Sequence, residues 1–474
     1  MIVILADDLG YGDVGAYNSE SQIATPAMDR LAAEGMRFTD AHSPSAVCTP
    51  TRYGLLTGRY CWRTRLKKGV LWGIDPALMD PERATVADLF KKAGYATACI
   101  GKWHLGFDFY DAEGELLPNN REYERTAGAD RVDYSRRIGK SPQEYGFDQS
   151  FVITGSLNMF PYTYIEGDRI VESASEFKPR TPHNITIISG GPMAPDFDFE
   201  AVVDVFAEKA EAFVRSSVKN GDPFFLYYPL TAPHKPVLPA KRFQGKSGFG
   251  IYGDFILQVD DVVARIDQVL EETGRQENTL IVVTSDNGSF MYRLSDEAPD
   301  HLDDFTATGY RAENHQSNYH WRGTKADIYE AGHRVPMLVR WPAVVEAGTV
   351  SEETVTLTDW YRTFAAMLSQ EVRENEAEDS ISLIPLLTAE GEWQRPPVVH
   401  HSFSGMFAIR DGDWKLIAGN GSGGRENPKG KAFERPYQLY NLKQDPSETK
   451  NLIEQHPEIA ERLEGDLEQI RGVE

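Results

Sequence analysis

The amino-acid sequence predicts an α/β protein with a large, mostly parallel (mixed) central sheet flanked by helices, followed by a smaller C-terminal α+β subdomain containing a short antiparallel sheet. Three observations lead there. Short apolar runs alternate with amphipathic helical patterns through the first three quarters of the chain, the rhythm of βαβ units covered on both faces. Polar residues able to do chemistry follow several of those runs directly, as they do where parallel strands end on one edge of a sheet. Past an acidic stretch at 369–378 the pattern changes to closely spaced short strands and one last helix.

Taken in order, Ile2, Val3, Ile4 and Leu5 form the first strand and run into Asp7 and Asp8. Thr25 and Pro26 open a helix through Met28, Leu31 and Ala32 to Gly35, with cap, proline and terminal glycine in their preferred places. Thr49 reads as the cap of a second helix starting at Pro50, which sets Cys48 against a positive helix terminus and Arg52 one turn further on. A helix at 85–92 closes at Gly94, and longer ones are expected at 199–217 and 254–273. Residues 107–150 and 292–319 are polar and poorly periodic, as pocket-shaping loops are. A helical stretch at 358–368 precedes the acidic run, which by itself reads as solvated. The expected division is a catalytic domain at 1–368, a connection at 369–395 and a C-terminal subdomain at 396–474. Strands are expected there at 398–403, 406–410, 414–418 and 438–441, then a helix at 457–470.

A chain of 474 residues with 41% hydrophobic content can bury a large core. Its formal charge of −23, from 49 basic and 72 acidic residues, excludes a nucleic-acid or anionic-membrane surface. An anionic substrate is compatible with that sum only through a locally positive cleft and a bound cation. Cys48, Cys61 and Cys99 make no disulfide scaffold, and Cys61 pairs with Cys99 only if the fold brings them together. No apolar run is long enough to insert in a membrane, and the chain opens on a strand with no signal peptide ahead of it, a start that reads as trimmed.

Two acidic pairs follow two apolar strands: Asp7 and Asp8 after the first, Asp286 and Asn287 after 280–284. Brought to one edge, these oxygen ligands suit a hard divalent ion such as calcium or magnesium, whereas zinc would want more histidine or thiolate. Lys102 and His104 follow the run 97–100, and an extended backbone would point both side chains the same way. His234 and Lys235 follow 224–228, and Lys325 lies in a glycine-punctuated loop before another apolar strand.

The run Cys48-Thr49-Pro50-Thr51-Arg52 resembles the Cys-x-Pro-Ser/Ala/Thr-Arg signature of the type I sulfatases, members of the alkaline phosphatase superfamily, with Thr51 where Ser or Ala is usual. Further blocks, in order from Ala6-Asp7-Asp8-Leu9-Gly10 to Leu439-Tyr440-Asn441-Leu442, extend the resemblance over the whole chain. It implies that Cys48 is oxidised to formylglycine by a formylglycine-generating or equivalent maturation enzyme. It implies one calcium ion held by Asp7, Asp8, Asp286 and Asn287 together with the oxidised Cys48. Arg52 and Lys102 would then steady the nucleophilic oxygen, Lys102 and Lys325 the transferring sulfuryl group. His234 would protonate the leaving alcohol, and His104 would act as the base that lets the aldehyde reform and sulfate depart. Periplasmic or extracellular placement follows from the same resemblance.

A sulfated saccharide is the expected substrate, with Tyr162, Tyr164, Arg311, His315, His320, Trp321, His400 and His401 as groups suited to one. The rival readings are a phosphate or phosphonate monoester hydrolase of the same superfamily, and a non-catalytic carbohydrate-binding protein if Cys48 stays unmodified.

Overall fold

A computed structural model describes residues 1–117, 129–182 and 184–472. Ten strands make one sheet, in the order Thr349–Ser351, Met36–Phe38, Met337–Arg340, Ile281–Ser285, Ile2–Asp7, Phe224–Pro233, Ala96–Lys102, Gln149–Ile153, Ile165–Glu166 and Arg169–Ile170. The five strands from Ile281–Ser285 to Gln149–Ile153 are parallel, and antiparallel partners extend both edges. This is the mostly parallel, mixed sheet that the sequence predicts. Ile2–Asp7 and Phe224–Pro233 are buried along their whole length, because two groups of helices enclose the sheet. Pro26–Glu34, Val202–Asn220 and Gly250–Glu272 pack together in one group, and Cys48–Thr57, Val86–Lys92 and Trp360–Met367 in the other.

The helix at 199–217 starts three residues later than expected, since Phe199 is held in an aromatic cluster with Tyr162 and Phe197. The one at 254–273 begins a turn earlier, at Gly250. The helix expected at 85–92 starts at Val86, and Thr85 caps it, accepting the Ala87 and Asp88 amides. Thr25 does not. Its hydroxyl donates to Asp29 and accepts from the Gly15 amide, while the free helix amides of Ala27 and Met28 donate to Asp260 at 3.0 and 2.8 Å. Gly35 is likewise not a left-handed cap: its φ is −142°, and a Cβ there would lie 2.2 Å from the Val339 carbonyl oxygen. The glycine permits that approach.

Burial raises the Asp260 carboxyl to about 6, so the folded protein holds this proton more tightly than the unfolded chain. Its contribution is full below about pH 4 and is lost as pH rises through about 6. Asp260→Asn is expected to reduce the change in unfolding free energy between those pH values by roughly 2 kcal/mol, measured from urea midpoints.

Val398–His401, Phe407–Asp411, Trp414–Ile417 and Gln438–Asn441 form the short antiparallel sheet, with Pro457–Arg471 packed against it. Buried ion pairs join this sheet to the larger one. Lys415 lies 3.0 Å from Glu330 and Arg410 lies 2.8 Å from Asp40, while Glu448, 2.8 Å from Lys415, comes from the C-terminal part itself. The acidic run is anchored rather than merely solvated, with Asp379 on Arg63 and Glu378 on Arg59. Of the loop expected at 107–150, residues 118–128 lie outside the described residues. The rest carries short 3-10 turns and buried aromatics such as Phe107 and Phe109. The loop at 292–319 contains a small parallel pair, Tyr292–Leu294 with Gly309–Arg311. No disulfide joins Cys61 to Cys99. Cys99 is sealed inside Ala96–Lys102, and Cys61 sits in the turn after the Cys48 helix. No helix among the described residues is long and apolar enough to cross a membrane.

Candidate active site

Four neighbouring parallel strands end on one edge of the large sheet, and their ends bring the predicted groups together. Asp7 closes Ile2–Asp7, and Asp8 follows it in the left-handed region at φ 69°. Asp286 and Asn287 follow Ile281–Ser285, Lys102 closes Ala96–Lys102, and His234 follows Phe224–Pro233. Gly288 allows the Asp286 corner to lie against the loop that carries Lys325, since a Cβ there would meet the Ala331 carbonyl oxygen at 1.7 Å.

The Cys48 helix starts two residues earlier than expected for a Thr49 cap, with Val47 before its first turn. The Thr49 hydroxyl is used elsewhere, donating to the His104 carbonyl at 3.0 Å and accepting from the Leu71 amide at 3.2 Å. Cys48 Sγ therefore lies at the first residue of the helix, 3.5 Å from Asp7 Oδ1 and 3.5 Å from Lys325 Nζ.

Around it runs a buried ionic network. Arg52 donates to Asp286 Oδ2 through Nε and Nη2 at 3.0 and 2.7 Å, and to the Lys102 carbonyl through Nη1 at 2.9 Å. Lys102 Nζ donates to Asp7 Oδ2 and to Ser156 Oγ, each at 2.7 Å. Lys325 Nζ grips Asp8, 2.6 Å from Oδ1 and 2.8 Å from Oδ2. Asn287 Nδ2 donates to Asp8 Oδ1 at 2.7 Å. Such a cluster persists away from water only because each charge has a partner.

The extended relation expected for Lys102 and His104 does not hold: the strand stops at Lys102, and His104 turns left-handed at φ 57°. The ring still has a defined tautomer. A carbonyl only accepts, so the contact of Nε2 with Leu71 O at 2.8 Å puts the hydrogen on Nε2 and leaves Nδ1 with a lone pair. Nδ1 is buried and has no hydrogen-bond partner among the described residues. His234 is set the other way round. Its Nδ1 donates to the Lys235 carbonyl, leaving Nε2 facing Asp8 Oδ2 at 3.7 Å and Ser156 Oγ at 3.5 Å.

Burial, with Asp286 adding to it, pushes the Cys48 thiol up to about 12 against the pull of Lys102 and Lys325. Burial alone would raise Asp8, but Lys325 and His234 hold it below the usual carboxylate range. Burial raises Asp286 despite Arg52. Both histidines are kept well below their ordinary value, His104 by burial with Lys102 and Arg52, His234 by burial with Lys325.

The donors also suit a hard cation. Asp7, Asp8, Cys48 and His234 place ligand atoms within 4.8 Å of one another. Asn287 Oδ1 is a buried oxygen with no hydrogen-bond partner among the described residues, on a side chain whose Nδ2 bonds Asp8. Carboxylate and amide oxygens are what calcium or magnesium takes. The network opens at Lys325 and His234. Their chain neighbours Thr324 and Lys235, with Arg293, Asp327 and Arg425, line a cleft of about 760 Å³.

A family model described as Sulfatase matches residues 1–369. The chain belongs to the sulfatase family. A second model, described as N-sulphoglucosamine sulphohydrolase, C-terminal, matches residues 319–472 of this sulfatase. It is 33% identical to N-acetylgalactosamine-6-O-sulfatase of Bacteroides thetaiotaomicron, covering 99% of this chain and 93% of that protein. It is 30% identical to arylsulfatase A of Homo sapiens, covering 96% and 83%. A solved structure reported for metabolism of multiple glycosaminoglycans by Bacteroides thetaiotaomicron superposes with a TM-score of 0.83 at 32% identity, covering 99% of each chain. Like the family, it is a sulfuric ester hydrolase.

The residues expected to meet a saccharide serve the fold of this sulfatase instead. Tyr162 donates to the Ser189 carbonyl at 2.7 Å, and Tyr164 packs on Phe151 and Phe206. Arg311 pairs with Asp303, and His315 lies 2.8 Å from Asp13. His320 packs on Tyr319, and Trp321 is capped by Arg334. His400 is stacked on His333 at 3.9 Å, and His401 packs on Phe407. None of them lines the cleft. Sequence reasoning missed Ser156, which lies between Lys102 and His234 and follows a strand end like the others. It also missed Arg293 and Arg425, which carry no local signal.

Proposed function

We propose that this sulfatase removes sulfate from a sulfated saccharide, using a formylglycine made from Cys48 by a maturation enzyme and one calcium ion held by Asp7, Asp8, Asp286 and Asn287. Action in the periplasm or outside the cell belongs to the same reading. What carries it is the position of Cys48 Sγ, between the Asp7 carboxylate and the Lys325 ammonium at 3.5 Å from each.

Calcium, when bound, would lower the pKa of the position-48 hydroxyl and offset charge on the sulfate. The protein's own groups do the rest. Lys325, at the mouth of the network, meets the sulfate oxygens and disperses the charge that grows on them. Lys102, fixed by Asp7 and Ser156, holds a second positive charge behind position 48. The donors of Arg52 are committed to Asp286 and a carbonyl, so its part is to position the acidic corner rather than to touch the oxyanion. His104 takes a proton at Nδ1. His234 gives one from Nε2 to the departing alcohol; an arriving anion favours its charged form, which burial otherwise opposes.

Matched aryl sulfate and aryl phosphate esters, compared on protein matured in its native host, test the assignment. The sulfate is expected to turn over with the higher kcat/KM, and a strong preference for phosphate would overturn the reading in favour of a phosphate or phosphonate ester hydrolase.

A further inference from the structure

The cleft in front of Lys325 is lined by four cationic side chains, Lys235, Arg293, Arg322 and Arg425, against two acids, Asp327 and Glu426, on a chain whose formal charge is −23. Lys235, Arg293 and Arg425 all line it. Among the described residues, none of the three forms an ion pair, although arginines elsewhere on the surface close readily on carboxylates, as Arg242 does on Asp204 and Asp261. Neither acid of the cleft closes on these three: Glu426 is paired with Arg322 at 2.8 Å, and Asp327 keeps its charge while its oxygens take the backbone amides of Thr324 at 2.9 Å and Glu426 at 3.1 Å.

Two of the three are held by side-chain contacts, and the third by its backbone. Arg293 Nη2 donates to the carbonyls of His320 and Trp321 at 3.1 and 3.2 Å, which orients the guanidinium without cancelling its charge. Lys235 Nζ sits 4.8 Å from the centre of the Phe290 ring. Arg425 hangs from a backbone amide bonded to Asp327. Fixed cations at the mouth of a reaction site are a receptor for a fixed anion.

Building on the proposed sulfatase activity, we propose that Lys235, Arg293 and Arg425 bind a second anionic group on the saccharide whose sulfate ester is cleaved. The substrate is then polyanionic, with a carboxylate or another sulfate on the sugar beside the reacting one. A neutral neighbouring sugar would leave all three cations facing water and forgo their contribution.

The test is calorimetric binding to the Cys48→Ala protein of three disaccharides that share one sulfate ester and differ in the adjoining sugar: neutral, uronic acid, or sulfated. At low salt at least one charged form is expected to bind about tenfold or more tightly than the neutral form, and which one does identifies the anion. The advantage should fall towards unity in the Arg293→Ala/Arg425→Ala double variant, whose altered side chains are exposed and whose melting temperature reports intact folding. Equal binding of all three disaccharides, or an equal loss for all three in the double variant, overturns the proposal. Because binding here needs no turnover, a matured wild-type protein with no sulfatase activity but the same binding preference would sink the catalytic reading and leave this one standing.

Discussion

Cys48→Ser is expected to lower kcat for a sulfated substrate by at least about 10⁴-fold while substrate is still captured. A serine oxygen at this position meets the same lysines and carboxylates and is able to take the sulfuryl group once. It lacks the second hydroxyl through which an oxidised cysteine reforms its carbonyl and expels sulfate, so release would require water to attack sulfur afresh. The expected signature is a single turnover or less, with protein mass rising by one sulfuryl group. Repeated turnover by this variant refutes the role of position 48. Intact folding is the expectation, because serine is no larger than the cysteine it replaces and the surrounding ion pairs Arg52 to Asp286 and Lys102 to Asp7 do not involve it.

Stripping divalent cations with a strong chelator is expected to reduce kcat/KM by more than about 10²-fold and to lower the melting temperature, with calcium restoring both. Lys325 explains the size of the effect. Its ammonium lies 2.6 Å from Asp8 Oδ1, an oxygen that a cation on the cluster would also claim. A divalent ion held there would compete with Lys325 for Asp8 and leave the ammonium freer to face the cleft. It would also offset the repulsion among Asp7, Asp8 and Asp286, which raises Asp286 in concert with burial. Full activity after exhaustive chelation would refute the metal assignment. Restoration by magnesium but not calcium would correct the choice of ion.

The parts of this arrangement readable from sequence are those set by strand ends. An apolar run of four or five residues followed at once by Asp7 and Asp8, or by Asp286 and Asn287, needs little more than the alternation of βα units to place the acids on one edge. Lys102 follows by the same logic. His104 escapes it, because its direction depends on a left-handed residue just past the strand, and nothing local requires histidine to adopt one. The cap of Pro26–Glu34 escapes it too, since Asp260 comes from a helix more than 200 residues away and displaces the adjacent, better-suited Thr25. The cleft wall was hidden for a related reason: Arg425 is delivered by the packing of the C-terminal sheet against the Lys325 loop. Tyr162 and Tyr164 suit a sugar by residue type, but each taken alone reads first as structural. Aromatics in a polar stretch look alike whether they greet a sugar or fill a core, and here Tyr162 is 1% exposed.

Cys48 is only 2% exposed, with the first turn of its helix, Asp7 and Lys325 closed about the sulfur. The finished molecule thus offers no room for another catalyst to grasp that side chain. On the proposed chemistry, the chance to create the working group expires once the polypeptide has closed, and the supply of active copies becomes a race between synthesis, tailoring and collapse rather than a property of the mature protein.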